Sequence, residues 1–546
     1  MGGADDLAES GGHPAKAART MSTLGLVVVG FFWTSGGFYG CEPAADGPHF
    51  WMLVLGLAMP FLYSLPTALI SAELATNYPE TGGQCVYVNL ACGSIIGAHN
   101  TWWVWFSTCV DCGLYPQYIR DTLIQQLNVT APDSNTTGLV LGNGTTLGAD
   151  AGGKGDDTLY EVMKYMPMIV IAFVTSINIL GVDWLMRFET FLGIMALLPC
   201  LAFLGFGIPH IKLAPNLDSS GELALASMVS RSLWLYGGFT NLGVLAGECK
   251  TPRRSYIVAV LVLVPLKILL RFVPFLVIYS YNPTSDDLET AGYFQDVAGF
   301  VGETEYFGGQ WLQWWYFVGS LICFLGFYNA MAVNAERTMM FFCEERYAAS
   351  LDRIARKNGI LNFLFRMPGE DEGGIRRFYI LFIACIEIGM VNINVGLLIE
   401  LEMLIYALSA GLFFYSFVYL RLQRNKKFKW DPAAAPLLGG STEEDYGTVA
   451  GNAGNVDADA PATKGDSEVY NIGGGNMVAF SLAVCPVAFF AINTVLNLMG
   501  EGSALAPFPY FKQTVFVGVI LLGIVANVIA NKIDPPRRPD PTADDE

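Results

Sequence analysis

Charge is scarce in this chain. Asp, Glu, Lys and Arg together make up 15% of 546 residues, while 53% are hydrophobic. Soluble globular chains carry roughly a quarter of their residues as charges, so that class is set aside. The long apolar runs point instead to a polytopic membrane protein. Histidine is scarcer still: His13, His49, His99 and His210 are scattered, and no metal site follows from them. No cleavable signal peptide precedes the first apolar run. Residues 1–20 are small and polar, and Lys16 and Arg19 flank the run as on a cytoplasmic side. A disulfide framework is also missing. Most of the 11 cysteines, such as Cys200, Cys323, Cys385 and Cys485, sit inside apolar runs and read as small buried residues. Cys109 and Cys112 form a C-x-x-C within a spanning helix, where packing is the reading rather than redox or metal chemistry. With no nucleophile–base pair and no metal cluster, an enzyme is not expected, and neither is a cofactor.

What is present is a set of spanning segments of about twenty residues each. Twelve can be drawn, at about 22–44, 50–76, 95–122, 161–181, 189–208, 225–247, 256–281, 310–334, 378–394, 396–420, 476–498 and 510–531. The boundary between the ninth and tenth is the least defined. Most of the 31 basic residues fall in loops that an inside N-terminus makes cytoplasmic, among them Lys250, Arg253, Arg254 and the cluster Arg421, Arg424, Lys426, Lys427 and Lys429. Three N-x-[ST] sequons, at Asn128, Asn135 and Asn143, lie in the loop the same rule places outside. Both termini are then expected in the cytoplasm and the protein in the plasma membrane, although an internal acidic organelle would share the glycosylated loops. The expected organisation is a tail over 1–21, a transport core over 22–420, an acidic linker over 421–475, two further helices over 476–531 and a tail over 532–546. Residues 123–160 and 431–475 are too polar to fold alone. Arg337–Ile354 has the spacing of a helix lying along the inner membrane face.

The stretch Leu24–Glu42, LGLVVVGFFWTSGGFYGCE, begins as an apolar helix and is interrupted at Ser35-Gly36-Gly37. Adjacent glycines let the backbone leave helical geometry. In a membrane, unwound backbone must be buried in protein or line a wet cavity. The other reading is a kink at a close-packing glycine patch. A second copy favours the first: the sixth segment, SRSLWLYGGFTNLGVLAGE, is broken at Gly237-Gly238 and followed by Phe239. Five segments separate the two starts, so the halves run in opposite directions. This is the pattern of an inverted-repeat transporter whose site lies where the broken helices meet.

Intramembrane charge costs about 2.5–3.5 kcal/mol at a helix centre, so each instance needs a reason. Asp111 is the most central acid. Helical spacing puts Ser107, Asp111, Tyr115 and Tyr118 on one face of segment three. A carboxylate beside aromatic rings is a good receptor for an organic ammonium. Internal pairing with Lys267 or Arg271 of segment seven is the alternative. Glu73 reads as a structural acid near the inner end of segment two, Glu248 as an inner gate or a solvated pair with Lys250 and Arg253, and Glu42 as an outer gate. Glu387, Glu400 and Glu402 receive no role.

Four stretches resemble the amino acid–polyamine–organocation superfamily, in its L-amino-acid-transporter-like branch and nearest to the polyamine permeases of plants and protozoan parasites: Ser35–Glu42 (SGGFYGCE), Ala68–Gly83 (ALISAELATNYPETGG), Trp105–Pro116 (WFSTCVDCGLYP) and Tyr236–Glu248 (YGGFTNLGVLAGE). Asn329–Glu336 adds a weaker similarity. The resemblance implies an all-α, LeuT-like fold of five plus five inverted helices with two more at the C-terminus. It implies a substrate ammonium held by free carbonyls and rings at Ser35, Gly36, Gly37 and Tyr39, and at Tyr236, Gly237, Gly238, Phe239 and Thr240, with Asp111 supplying fixed charge. Trp105 and Tyr115 are the further aromatic candidates. The sequence departs from the family twice. Exchangers of this branch join a heavy subunit through a cysteine after the third helix; residues 123–160 contain none, so no disulfide-linked heavy subunit is expected. Proton-coupled amino-acid members carry a lysine in the fifth helix; Phe191–Gly207 has none.

Two functions remain open from sequence. One is import of putrescine, cadaverine or spermidine by alternating access, with a proton on Asp111 or Glu73 as the expected coupling ion. The net charge of −18 fits it, because the outer loop holding Asp286, Asp287, Glu289, Asp296, Glu303 and Glu305 lies in a stretch from Arg271 to Arg337 with no intervening Lys or Arg. Such a field concentrates cations. The other is transport of cationic or neutral amino acids, whose carboxylate the N-terminus of the resumed first helix would hold.

Overall fold

The computed structural model describes residues 21–40, 49–127, 157–180, 182–211, 225–280, 309–346, 376–425, 475–499 and 510–533. Among them the secondary structure is helical throughout, apart from an isolated bridge between Met21 and Cys249. Seven helices among the described residues are long and apolar enough to cross a membrane: Phe50–Asn77, Glu161–Ile179, Phe188–His210, Pro252–Ser280, Gln310–Phe342, Val395–Gln423 and Asn476–Leu498. Thr23–Thr34 and Phe511–Val525 are shorter apolar helices. Large apolar side chains such as Ile169, Phe173, Leu521 and Val525 are exposed on the outside of the bundle, as a surface facing hydrocarbon requires. Trp311, Trp314 and Trp315 are exposed at one end of their helix, the place where an interfacial aromatic belt forms.

The first helix, α1 (Thr23–Thr34), is capped by the Ser22 hydroxyl, which accepts from the Gly25 N–H. It stops at Ser35 because Gly36 has φ +57°, a conformation that disfavours any side chain, and a Cβ there would lie 2.1 Å from the Phe327 ring. The chain does not resume as helix over Phe38–Gly40, contrary to the sequence reading. Phe38 and Tyr39 turn into the core instead, stacking with each other and against Tyr316. The next span runs α2 (His49–Met59), a π turn at Pro60–Ser64 and α3 (Leu65–Asn77). The π turn begins at Pro60, which has no N–H to donate to the helix ladder.

A short helix α4 (Gln84–Cys92) leads to α5 (Ser94–Cys112) and α6 (Leu114–Gln126), which occupy the expected third segment, then α7 (Asp157–Leu180) and α8 (Val182–Gly207). The expected sixth segment, called the sixth span below, is the second broken one. Helix α9 (Leu225–Tyr236) ends at Gly237-Gly238, and the chain continues as 3₁₀ helix over Asn241–Glu248. Gly238 has φ +91°, and a Cβ there would fall 1.8 Å from the Trp33 carbonyl oxygen. The break in one helix is therefore packed directly on the last turn of the other. Five more helices follow: α10 (Pro252–Ser280), α11 (Gln310–Arg346), α12 (Arg376–Met390), α13 (Val395–Asn425) and α14 (Gly475–Met499), and the chain closes with α15 (Phe511–Ile533).

The inner part of the bundle is built by α1 on α10, α11 on α8 and α5, and α13 on α5 and α14. The part of the expected surface helix from Arg337 to Arg346 is a continuation of α11, since its apolar residues Met339 and Phe342 are buried against α5 and α12. The uncertain boundary between segments nine and ten falls at residues 391–394, between α12 and α13. Cys109 and Cys112 are buried free thiols.

Candidate functional site

The helical periodicity of α5 and α6 brings Ser107, Thr108, Asp111 and Tyr115 to one cavity. The cavity, about 60 Å3 in volume, is completed by Trp234, Gly237, Gly238 and Thr240 from the sixth span, and by Phe327, Glu402 and Tyr406. It lies where the two broken helices meet.

Asp111 is 4% exposed. The Tyr115 hydroxyl donates to both of its oxygens at 3.0 Å, and the Trp234 indole N–H donates to Oδ1 at 2.9 Å. No ion pair to Asp111 occurs among the described residues; Lys267 and Arg271, the alternative partners, reach backbone instead. Lys267 Nζ donates to the Gly237 carbonyl at 2.6 Å and lies 5.2 Å from the centre of the Phe239 ring. Arg271 donates to the Ser35 carbonyl at 2.6 Å and to that of Tyr39 at 3.4 Å. The carboxyl that does face Asp111, within hydrogen-bonding reach, is that of Glu402 on α13. Glu402 is 8% exposed, and its Oε2 accepts no hydrogen bond from the described residues.

The carbonyls expected to be free are engaged by the chain itself. Besides those held by Lys267 and Arg271, Gly36 O accepts from the Cys323 thiol, Tyr236 O from the Ser64 hydroxyl at 2.7 Å and Gly238 O from Asn241 N–H at 3.1 Å. Buried carbonyls demand partners, and in the unwound segments the partners come from neighbouring helices.

Of the residues singled out from sequence, Asp111, Tyr115, Gly237, Gly238 and Thr240 line the cavity. Ser35, Gly36 and Gly37 are not among the lining residues, although the Ser35 carbonyl accepts from Arg271, which is. Tyr39 donates to the Ala196 carbonyl at 3.2 Å and packs in the core. Tyr236 and Phe239 turn their rings toward Lys267. Trp105 faces away: it stacks on Phe382 with rings 5.6 Å apart, because six residues before Asp111 is the far side of a 3.6-residue helix. Glu73, fully buried, is ion-paired with Arg421 at 2.8 Å. Glu248 is paired with Arg337 at 3.2 Å, beside backbone hydrogen bonds that tie Met21 to Glu248 and Lys250. Glu42, Asn128, Asn135 and Asn143 lie outside the described residues. Glu402, Trp234, Phe327 and Tyr406 were not foreseen. The signal for Glu402 was available, as an acid within a spanning segment whose neighbours are apolar.

Helices apolar and long enough to span a membrane thus surround a buried, acid-lined cavity. The chain belongs to the amino acid permease family, whose model matches residues 20–494; members of that family are permeases, not enzymes, and the chain is a multi-pass membrane protein. It is 28% identical over 321 residues to a probable polyamine transporter of Arabidopsis thaliana, covering 57% of this chain and 57% of the relative. It is 26% identical over 359 residues to the polyamine transporter PUT1 of Oryza sativa subsp. japonica, covering 63% and 61%. The serine/threonine exchanger SteT of Bacillus subtilis (strain 168) is 26% identical over 197 residues, covering 35% and 38%. The matched region thus spans less than two thirds of the two plant relatives.

Proposed function

We propose that the protein imports polyamines, with the cavity between the broken helices as the substrate site. The observation that carries this reading is the Asp111–Glu402 pair: two buried carboxyls facing each other, neither ion-paired among the described residues. Two such acids in a membrane interior call for compensating positive charge. A diamine or triamine brings more than one ammonium group on an alkyl chain, and the rings of Tyr115, Trp234, Phe327 and Tyr406 offer surface for both. The similarity to plant polyamine transporters supports the same class.

The finer architecture we propose is twelve spanning helices in a LeuT-like five-plus-five inverted repeat, with helices eleven and twelve appended, and the domain limits read from sequence. The matched interruptions of the first and sixth spans support it. Transport proceeds by alternating access: α1 and the sixth span tilt against α5–α6 and α11, and the Glu248–Arg337 pair opens and closes the inner side. Both termini are cytoplasmic, the three sequons are glycosylated, the membrane is the plasma membrane and the coupling ion is the proton.

A second reading, an amino-acid permease, is favoured by one observation: Arg271 lines the same cavity and offers a guanidinium to a substrate carboxylate. Titrating putrescine, arginine and leucine into the purified protein by calorimetry separates the two. Putrescine binding that weakens in Glu402→Gln supports the first reading; arginine or leucine binding without putrescine binding replaces it with the second.

A further inference from the structure

A second buried carboxyl site lies outside the substrate cavity. Glu387 on α12 is 1% exposed and borders a smaller cavity that Thr175 and Asn178 of α7 and Tyr328 of α11 also line. The Tyr328 hydroxyl donates to Glu387 Oε2. No N–H or O–H among the described residues reaches Oε1. The titratable groups facing the carboxyl are the thiols of Cys109 and Cys112 from α5 and the Tyr328 phenol from α11; α7 presents the neutral Thr175 and Asn178. All of these are uncharged partners, and no ion pair to Glu387 occurs among the described residues. Glu73, by contrast, carries its own arginine.

An acid buried with donors but no cation has one ready way to remove an uncompensated charge, which is to take up a proton. The position of Glu387 also suits a coupling role. Asp111 and Cys112 are consecutive on α5, and successive side chains on a helix diverge by about 100°. Asp111 points into the substrate cavity, while Cys112 meets Glu387. One helix therefore contacts the substrate acid on one side and this second acid on the next. Charge on Glu387 is felt through the same helix that a bound cation engages.

We propose that Glu387, with Tyr328, is the coupling-proton site of the transporter, separate from the carboxyls that hold substrate. The proposal rests on the reading of the protein as a proton-coupled carrier. The carboxylate takes one proton to become the neutral acid in one orientation and releases it in the other, with no other bond made or broken.

The test uses the full-length protein in liposomes with an entrapped pH dye and labelled putrescine. Wild-type protein is expected to accumulate putrescine under an inward proton gradient and to acidify the lumen as it does so. Glu387→Gln, which keeps the shape and loses the titration, is expected to lose accumulation and acidification while retaining putrescine counterflow, which needs no gradient. A Glu387→Gln protein that still acidifies and accumulates as wild type overturns the proposal. So does loss of both confined to Glu189→Gln, since Glu189 on α8 is the competing acid: fully buried, hydrogen-bonded by Asn329 at 2.6 Å and in no ion pair among the described residues. If the wild type carries arginine with protons instead of putrescine and Glu387→Gln uncouples that, the proton site stands and the substrate reading falls. If wild-type transport moves no protons, the site is overturned whatever the substrate. Should Glu387→Gln lack counterflow, wild-type protein treated with dicyclohexylcarbodiimide decides by peptide mass spectrometry. That reagent modifies protonated buried carboxyls: an adduct on Glu387 that diminishes as the pH is raised supports the site, and its absence overturns it.

Discussion

The indole N–H of Trp234 donates to Asp111 Oδ1 at 2.9 Å, bridging α9 and α5 across 123 residues of sequence. The same indole stacks on Tyr118, whose ring stacks in turn on Phe324. The principal acid of the cavity is thus oriented by the half-helix just before the break in the sixth span. Hydrogen bonds to a charged group contribute about 1.5–3 kcal/mol. Trp234→Phe keeps a ring and removes the donor, so KM for putrescine is expected to rise about tenfold or more, measured by initial uptake rates.

The two cavity acids are expected to differ in what they discriminate. Asp111→Asn removes the carboxyl oriented by Tyr115 and Trp234 and should abolish uptake of every cationic substrate. Glu402→Gln should weaken putrescine more than a monoamine of similar length, because only the dication needs the second charge. Competition of each amine against labelled putrescine measures the ratio; equal weakening of both amines assigns Glu402 a structural role.

Two glycines set where the broken helices touch. At Gly238 an added Cβ would lie 1.8 Å from the Trp33 carbonyl oxygen, and at Gly36 2.1 Å from the Phe327 ring, both at positive φ. Gly238→Ala and Gly36→Ala are expected to lower the thermal midpoint of the detergent-solubilised protein and abolish transport. Gly205→Ala, in helix with nothing within 4 Å of the new Cβ, should leave the midpoint unchanged or raise it.

Glu73 and Arg421 form a buried pair at 2.8 Å, with Arg421 over the Phe417 ring. Leaving one charge of such a pair unmatched typically costs about 3–5 kcal/mol. Glu73→Gln and Arg421→Met are each expected to destabilise the fold, and the double substitution to be less harmful than the sum. A double-mutant cycle on thermal midpoints checks this; additive effects would mean that the pair contributes nothing.

Sequence reading reached the architecture where a local signal had a global consequence. Paired glycines in two apolar helices announced both breaks, and the periodicity around Asp111 put Ser107 and Tyr115 on the cavity side with it, whereas Tyr118, expected on the same face, stacks on Trp234 and Phe324 outside the lining. It missed what depends on packing between distant helices. The carbonyls at Ser35 and Gly237 are taken by Arg271 and Lys267, more than 200 and about 30 residues away in sequence, and no spacing rule reports that. Trp105 was placed at the site because its motif lies near Asp111, although its helical phase turns it toward Phe382. Glu402 receives no role from sequence because the start of its helix, nearly the same at 396 and at Val395, says nothing of what it faces; packing of α13 on α5 and α9 carries it into the cavity wall.

The most direct measurement is uptake into proteoliposomes under an inward proton gradient, with labelled putrescine competing against unlabelled spermidine, arginine and leucine. Accumulation of putrescine that spermidine suppresses and arginine and leucine do not is the expected result. Uptake of arginine or leucine in place of putrescine would contradict the central claim, leaving the fold intact and giving the cavity to an amino acid with its carboxylate on Arg271.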